Sequence, residues 1–167
     1  MTVLLGSDRG LDMGRASVLD YLHFAVEERR RSSVIDRPYA NFEEFVLQNG
    51  RQFNVMPFPA RYKRHTTYLK ACFLNAYNLA AKYPELKYAE GYAKAETVCS
   101  GLHAWVVDKD GNAIDPTWQD AGVDYFGVIF NMNYVNRVLQ QKKEYGVIDN
   151  WKNHWAILDG TETDWEG

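Results

Sequence analysis

The chain has 167 residues, of which 46% are hydrophobic, 25% charged and 14% aromatic. This is the composition of one globular domain, and it excludes a disordered or fibrous chain. A formal net charge of −3 argues against a protein built mainly to hold nucleic acid. No run approaches the roughly 18 uninterrupted apolar residues of a membrane span. Asp8 and Arg9 interrupt the apolar start too early for a signal-peptide core. Two cysteines are too few for a secreted disulfide scaffold, so the expectation is a reduced, cytoplasmic, single-domain protein.

In chain order, Val18, Leu19, Leu22 and Val26 recur at helical spacing and run out into Glu27-Glu28-Arg29-Arg30-Arg31, the form of a solvated helix end. Asn41 with Glu44 three residues on has the pattern of an N-cap, and Gly50 is a natural stop. A short helix is expected over Phe42–Asn49. Pro57 and Pro59 break the chain before the next element.

A longer helix is expected to begin at Thr66 or Thr67 and to end at Tyr83-Pro84. Leu69, Cys72, Phe73, Ala76, Leu79 and Ala80 form its apolar face. The period then changes to that of strands over residues 87–97, 102–107 and 112–114, with Asp108-Lys109-Asp110-Gly111 as a hairpin turn. A helix over residues 132–144, stopped by Gly146, and a frayed polar tail over residues 159–164 complete the chain. Helices first, then an antiparallel sheet, then a helix make an α+β domain. It divides into an N-terminal helical part (1–66), a catalytic core (67–118) and a C-terminal extension (119–167).

The chemistry candidates are Cys72 on the helix, His103 in one strand and Asp115 at the end of the next. A thiol attacks as thiolate, which a helix N-terminus or an adjacent imidazole favours. A carboxylate on the far ring nitrogen fixes the tautomer and orientation of that imidazole. Hairpin geometry decides whether the last two can meet. A three-residue loop Lys109-Asp110-Gly111, with Gly111 left-handed, sets Trp105 opposite Asp115 and His103 opposite Thr117, so that His103, Trp105 and Asp115 share a face. A two-residue loop would put Asp115 on the opposite face.

The run Gly101-Leu102-His103-Ala104-Trp105-Val106-Val107, then Asp110-Gly111 and Ile114-Asp115-Pro116-Thr117-Trp118, resembles the His and Asp strands of the transglutaminase-like cysteine hydrolase superfamily. Cys72 at an apolar helix, followed by Tyr88-Ala89-Glu90-Gly91-Tyr92, is similar to that family's Cys-helix and its Gly-Tyr strand. The resemblance covers residues 68–118. It implies a papain-like α+β fold in which Cys72 is nucleophile, His103 base and Asp115 orienting acid. The implied activity is hydrolysis or acyl transfer at an amide or ester bond, and the implied partner is a peptide, a protein or a small amide or ester. The family also includes members that have lost activity, and the alternative expectation for this chain is an inactive adaptor module whose cleft captures a peptide or protein. The pattern departs from the family in two places: Leu69-Lys70-Ala71 precedes the cysteine where small and aromatic residues are usual, and the papain-like glutamine donor is absent. Thr66 and Thr67 lie nearest, Gln52 is further away, and the backbone N–H of Cys72 supplies one oxyanion donor.

Trp105, Trp118 and Tyr92 are expected to shape the substrate pocket, and residues 125–130 to form a strand or a lid over it. His65 is the second candidate base. Arg61, Lys63, Arg64 and Lys70 read as a solvated loop in preference to an anion-attracting patch. Neither metal nor cofactor is expected. Cys99 and His103 lie about 13 Å apart along an extended strand, too far to share a zinc ion, and Cys99 reads as a buried structural thiol.

Overall fold

A computed structural model describes residues 11–12, 14–65, 67–162 and 164–166, the side chain of Cys99 excepted. Helix α1 (Val18–Ser32) begins at a capping box in which Ser17 and Asp20 satisfy each other's backbone amides. Helix α2 (Phe42–Asn49) is capped by Asn41, whose side chain accepts from the Glu44 amide at 2.9 Å, and stops at Gly50. Strand β1 (Arg51–Val55) follows at once. Helix α3 (Cys72–Lys82) leads into β2 (Lys87–Ala95), β3 (Val98–Val107), β4 (Asn112–Ile114) and β5 (Gly122–Phe130). Helix α4 (Met132–Lys142) and the short β6 (Trp165–Glu166) end the described chain.

The architecture of the described residues is mixed α+β, four helices with a six-stranded sheet in the order β1-β4-β3-β2-β5-β6. A further β1–β5 pairing closes the first five strands into a ring. The expected sheet was antiparallel; β1 and β4 in fact pair in parallel, because a strand from the N-terminal third enters between β4 and β5. Residues 125–130 belong to β5, hydrogen-bonded to both β2 and β1, and are therefore a strand of the ring and not a lid. The ring thus draws one strand from before residue 66 and one from after residue 118.

Strand alternation produces two cores. Outward residues, including Tyr88, Val106, Ile114, Phe126, Val128 and Phe130, are covered by the apolar faces of the four helices. Inward residues Phe53, Ala89, Ala93, Trp105, Val107, Ala113, Tyr125 and Ile129 fill the ring. Trp105 is wholly buried there, edge-on to Phe53 and Tyr125. It fits because small residues face it. Gly91 and Gly127 are paired across β2 and β5, and a Cβ on Gly127 would stand 2.6 Å from the Trp105 ring and 2.5 Å from the Glu90 carbonyl.

The C-terminal segment is tied down more firmly than its polarity implies. Glu90, fully buried on β2, accepts hydrogen bonds from the Val147 amide at 2.6 Å, the Ile148 amide at 3.0 Å and the Tyr88 hydroxyl at 2.6 Å. The tail expected to fray is held by Tyr134 on Glu162, by Arg137 on Asp164 at 2.8 Å and by the pairing of β6 with β5. Thr163 lies outside the described residues.

Gly127→Ala is expected to cost about 2–3 kcal/mol, since both close contacts of the new methyl are with backbone or a packed ring. Gly101→Ala, where nothing lies within 4 Å, should stay within about 0.5 kcal/mol. Urea midpoints of the two variants check the contrast.

Candidate active site

The hairpin between β3 and β4 has the register that a three-residue loop demands. Val107 pairs with Ala113, Val106 with Ile114, and the Asp108 amide donates to the Asn112 carbonyl. Gly111 has φ +84°, the left-handed conformation that the turn requires. Continued one residue past β4, this register sets Asp115 on the inward face with Trp105 and His103, at one mouth of the ring. There His103 Nε2 and Asp115 Oδ2 lie 2.7 Å apart, both side chains almost fully buried.

Asp115 is held on every side. Its Oδ1 accepts from the amides of Thr117 at 2.7 Å and Trp118 at 3.0 Å, closing the turn around Pro116. Its Oδ2 accepts from the Tyr125 hydroxyl at 2.8 Å as well as bonding to His103. Turn-capping and imidazole-orienting roles are thus divided between the two oxygens of one carboxylate. Burial and the Asp115 charge push the Tyr125 phenol far up, so it stays protonated and donates to the carboxylate.

Cys72 is the first residue of α3, not a residue one and a half turns inside it. Residues 67–71 stay out of the helix because the Asn75 side chain takes both backbone groups of Tyr68, accepting from its N–H and donating to its carbonyl, each at 2.8 Å. Lys70 follows with φ 59°, and Ala71 occupies the N-cap position without any side-chain cap. The positive end of the helix dipole and the first free amides therefore lie at Cys72 itself.

His103 is where these elements converge. Burial opposes its charge, but hydrogen bonding to Asp115 and to the Cys72 side chain, with the charge of both, lifts its pKa from 6.5 to about 9. Nε2 is engaged by Asp115, which leaves Nδ1 as the ring nitrogen open to the Cys72 side chain. The half-buried Trp118 stacks on the imidazole with centroids 3.9 Å apart and planes 15° from parallel, shielding it from water.

Cys72, His103 and Asp115 are therefore brought together. Of the three aromatic residues expected to line a pocket, only Trp118 is at the site with exposed surface. Trp105 is sealed inside the ring and offers a substrate nothing. Tyr92 points outward, buried beside Tyr21, whose hydroxyl donates to Glu43 at 3.1 Å. His65 lies toward the far end of α3 from Cys72. Burial and the nearby Lys82 lower its pKa, and Lys82 ends α3, about 15 Å along the axis from Cys72. Gln52 is engaged with Asp124 at 2.5 Å. Thr66 and the Cys99 side chain lie outside the described residues. Among the described residues no group of three or more His, Cys, Asp or Glu side chains is gathered to hold a metal ion, and no helix is long and apolar enough to cross a membrane.

Two contributors were missed. Asn75 shares the helical face of Cys72, Ala76 and Leu79, and a lone polar residue on an apolar face was the available signal. Tyr125 began an apolar run and gave none. Comparison of the chain with protein-family models, with curated proteins and with solved structures finds no match in any of the three.

Because the folded-state pKa of His103 is raised, its pairing stabilises the fold in full below about pH 6.5, and that contribution is lost as pH rises through about 9. Melting temperatures measured from pH 6 to 10 should fall across this window in the unaltered protein and show no such loss in His103→Asn.

Proposed function

We propose that the protein is a thiol-dependent hydrolase or acyl transferase acting on an amide or ester bond, with Cys72 as nucleophile, His103 as base and acid, and Asp115 as the orienting group. The observation that carries this reading is a free thiol at the uncapped start of a helix, against an imidazole whose other nitrogen is bonded to a buried carboxylate. The resemblance of residues 68–118 to the transglutaminase-like, papain-fold cysteine hydrolases supports the same roles.

The steps follow from the geometry. The thiolate of Cys72 attacks the carbonyl carbon, and negative charge develops on the carbonyl oxygen near the α3 N-terminus. The Cys72 backbone N–H and the positive end of the helix dipole favour charge there. His103, whose raised pKa keeps it an imidazolium at neutral pH, gives its proton to the leaving amine or alcohol as the C–N or C–O bond breaks. The thioester is then attacked by water, or by an amine in a transfer reaction, with neutral His103 removing the proton; the C–S bond breaks, the acyl product leaves, and the Cys72 thiolate beside the His103 imidazolium is restored. Asp115 holds the ring through both halves and stabilises its charge without taking the proton.

Iodoacetamide should alkylate Cys72 at neutral pH at least about tenfold faster than Cys99, and His103→Ala should abolish that preference. Cys72→Ala should remove turnover of acyl substrates while leaving the circular dichroism spectrum unchanged. Equal, slow labelling of both thiols would contradict the assignment and leave a binding module in its place.

A further inference from the structure

Asn75 does more than start the helix. It is fully buried one turn beyond Cys72, and both hydrogens of its amide are used. One goes to the Tyr68 carbonyl at 2.8 Å and the other to the Thr117 hydroxyl oxygen at 3.0 Å, while Oδ1 accepts from the Tyr68 amide. The Tyr68 pair fixes the amide's orientation, since a flipped side chain would set oxygen against oxygen and nitrogen against nitrogen.

The Thr117 bond serves no local purpose in α3. It joins two elements separated by 42 residues in sequence. Thr117 is also the residue whose amide donates to Asp115 Oδ1 at 2.7 Å. Connections therefore run in a closed circuit, from Cys72 along one helical turn to Asn75, across to Thr117, through Asp115 to His103, and back to the thiol. Reaction between thiol and imidazole requires that their separation be held, and the Asn75–Thr117 bond is a direct side-chain connection between α3 and the turn after β4 that can hold it.

We propose that the Asn75–Thr117 hydrogen bond is the strut that sets the start of the Cys72 helix against the His103–Asp115 hairpin, making Asn75 and Thr117 positioning residues for the reaction. This inference rests on the reading of Cys72 as the nucleophile. Neither residue touches a reacting atom. Their effect is to hold the helix end so that the sulfur remains within reach of His103 as the charges on both change.

Thr117→Val isolates the strut. It keeps the shape of the side chain, the Asn75 clamp on Tyr68 and the backbone amide on Asp115, and it removes only the hydroxyl acceptor. Thr117→Ser restores that acceptor. Two quantities are read for the full chain: the NMR titration of the His103 ring and the rate of iodoacetamide alkylation at Cys72 at pH 7. In Thr117→Val the titration midpoint should fall from its value of about 9, because the sulfur no longer supports the imidazolium as closely. Alkylation should slow about tenfold. Thr117→Ser should recover both, and neither variant should alter the circular dichroism spectrum. A raised His103 midpoint and fast alkylation in the unaltered protein that both survive Thr117→Val would overturn the strut alone. An ordinary, slowly alkylated thiol in the unaltered protein would remove the nucleophile and the strut together.

Discussion

The His103–Asp115 bond is the interaction on which the site depends. A buried carboxylate and a buried imidazole are each unfavourable alone, and together they are stable only when the remaining lone pairs and protons are satisfied. Asp115 meets that condition with two backbone amides and a tyrosine hydroxyl besides the imidazole. Removing one partner would leave a buried charge without its counterpart, so the ring of strands, the Pro116 turn and the position of Tyr125 are all constrained by one 2.7 Å contact. The raised pKa of His103 has the same origin: the charged neighbours outweigh a burial that by itself would keep the ring neutral.

The fold supplies rigidity where this arrangement needs it. His103 and Asp115 stand at the mouth of a closed ring filled by Trp105, whose indole cannot move without displacing Phe53, Tyr125 or the backbone at Gly127. The thiol comes from outside the ring, on a helix packed over β2 and β3. Its placement depends on where that helix begins, which a single asparagine side chain decides by taking both backbone groups of Tyr68. A rigid imidazole and a thiol on a helix end are thus brought together by elements far apart in sequence.

Local features were the legible part. Helix α2 and its Asn41 cap could be read from short-range rules, and so could a hairpin turn at Asp108–Gly111; the sequence allowed two registers there, and the three-residue loop with left-handed Gly111 is the one that permits His103 and Asp115 to pair. Strand β1 went unrecognised because Arg-Gln-Phe-Asn-Val has too few apolar residues to announce itself, yet it closes the ring. The expected start of α3, at Thr66 or Thr67, precedes the observed one at Cys72 by five or six residues for a related reason. Thr66 and Thr67 are good caps in sequence, but the side chain that excludes residues 67–71 from the helix lies downstream of them. Trp105 and Trp118 illustrate the same limit, since two tryptophans flanking one motif divide between the ring interior and the imidazole face according to the closure of the whole sheet.

Trapping the acyl intermediate is the most direct test of the claim that Cys72 and His103 act as one unit. An electrophilic acyl probe followed by peptide mass spectrometry should yield a single adduct on Cys72 in the unaltered protein and none in His103→Ala. An adduct shared between Cys72 and Cys99, or one on Cys72 that persists without His103, would contradict it.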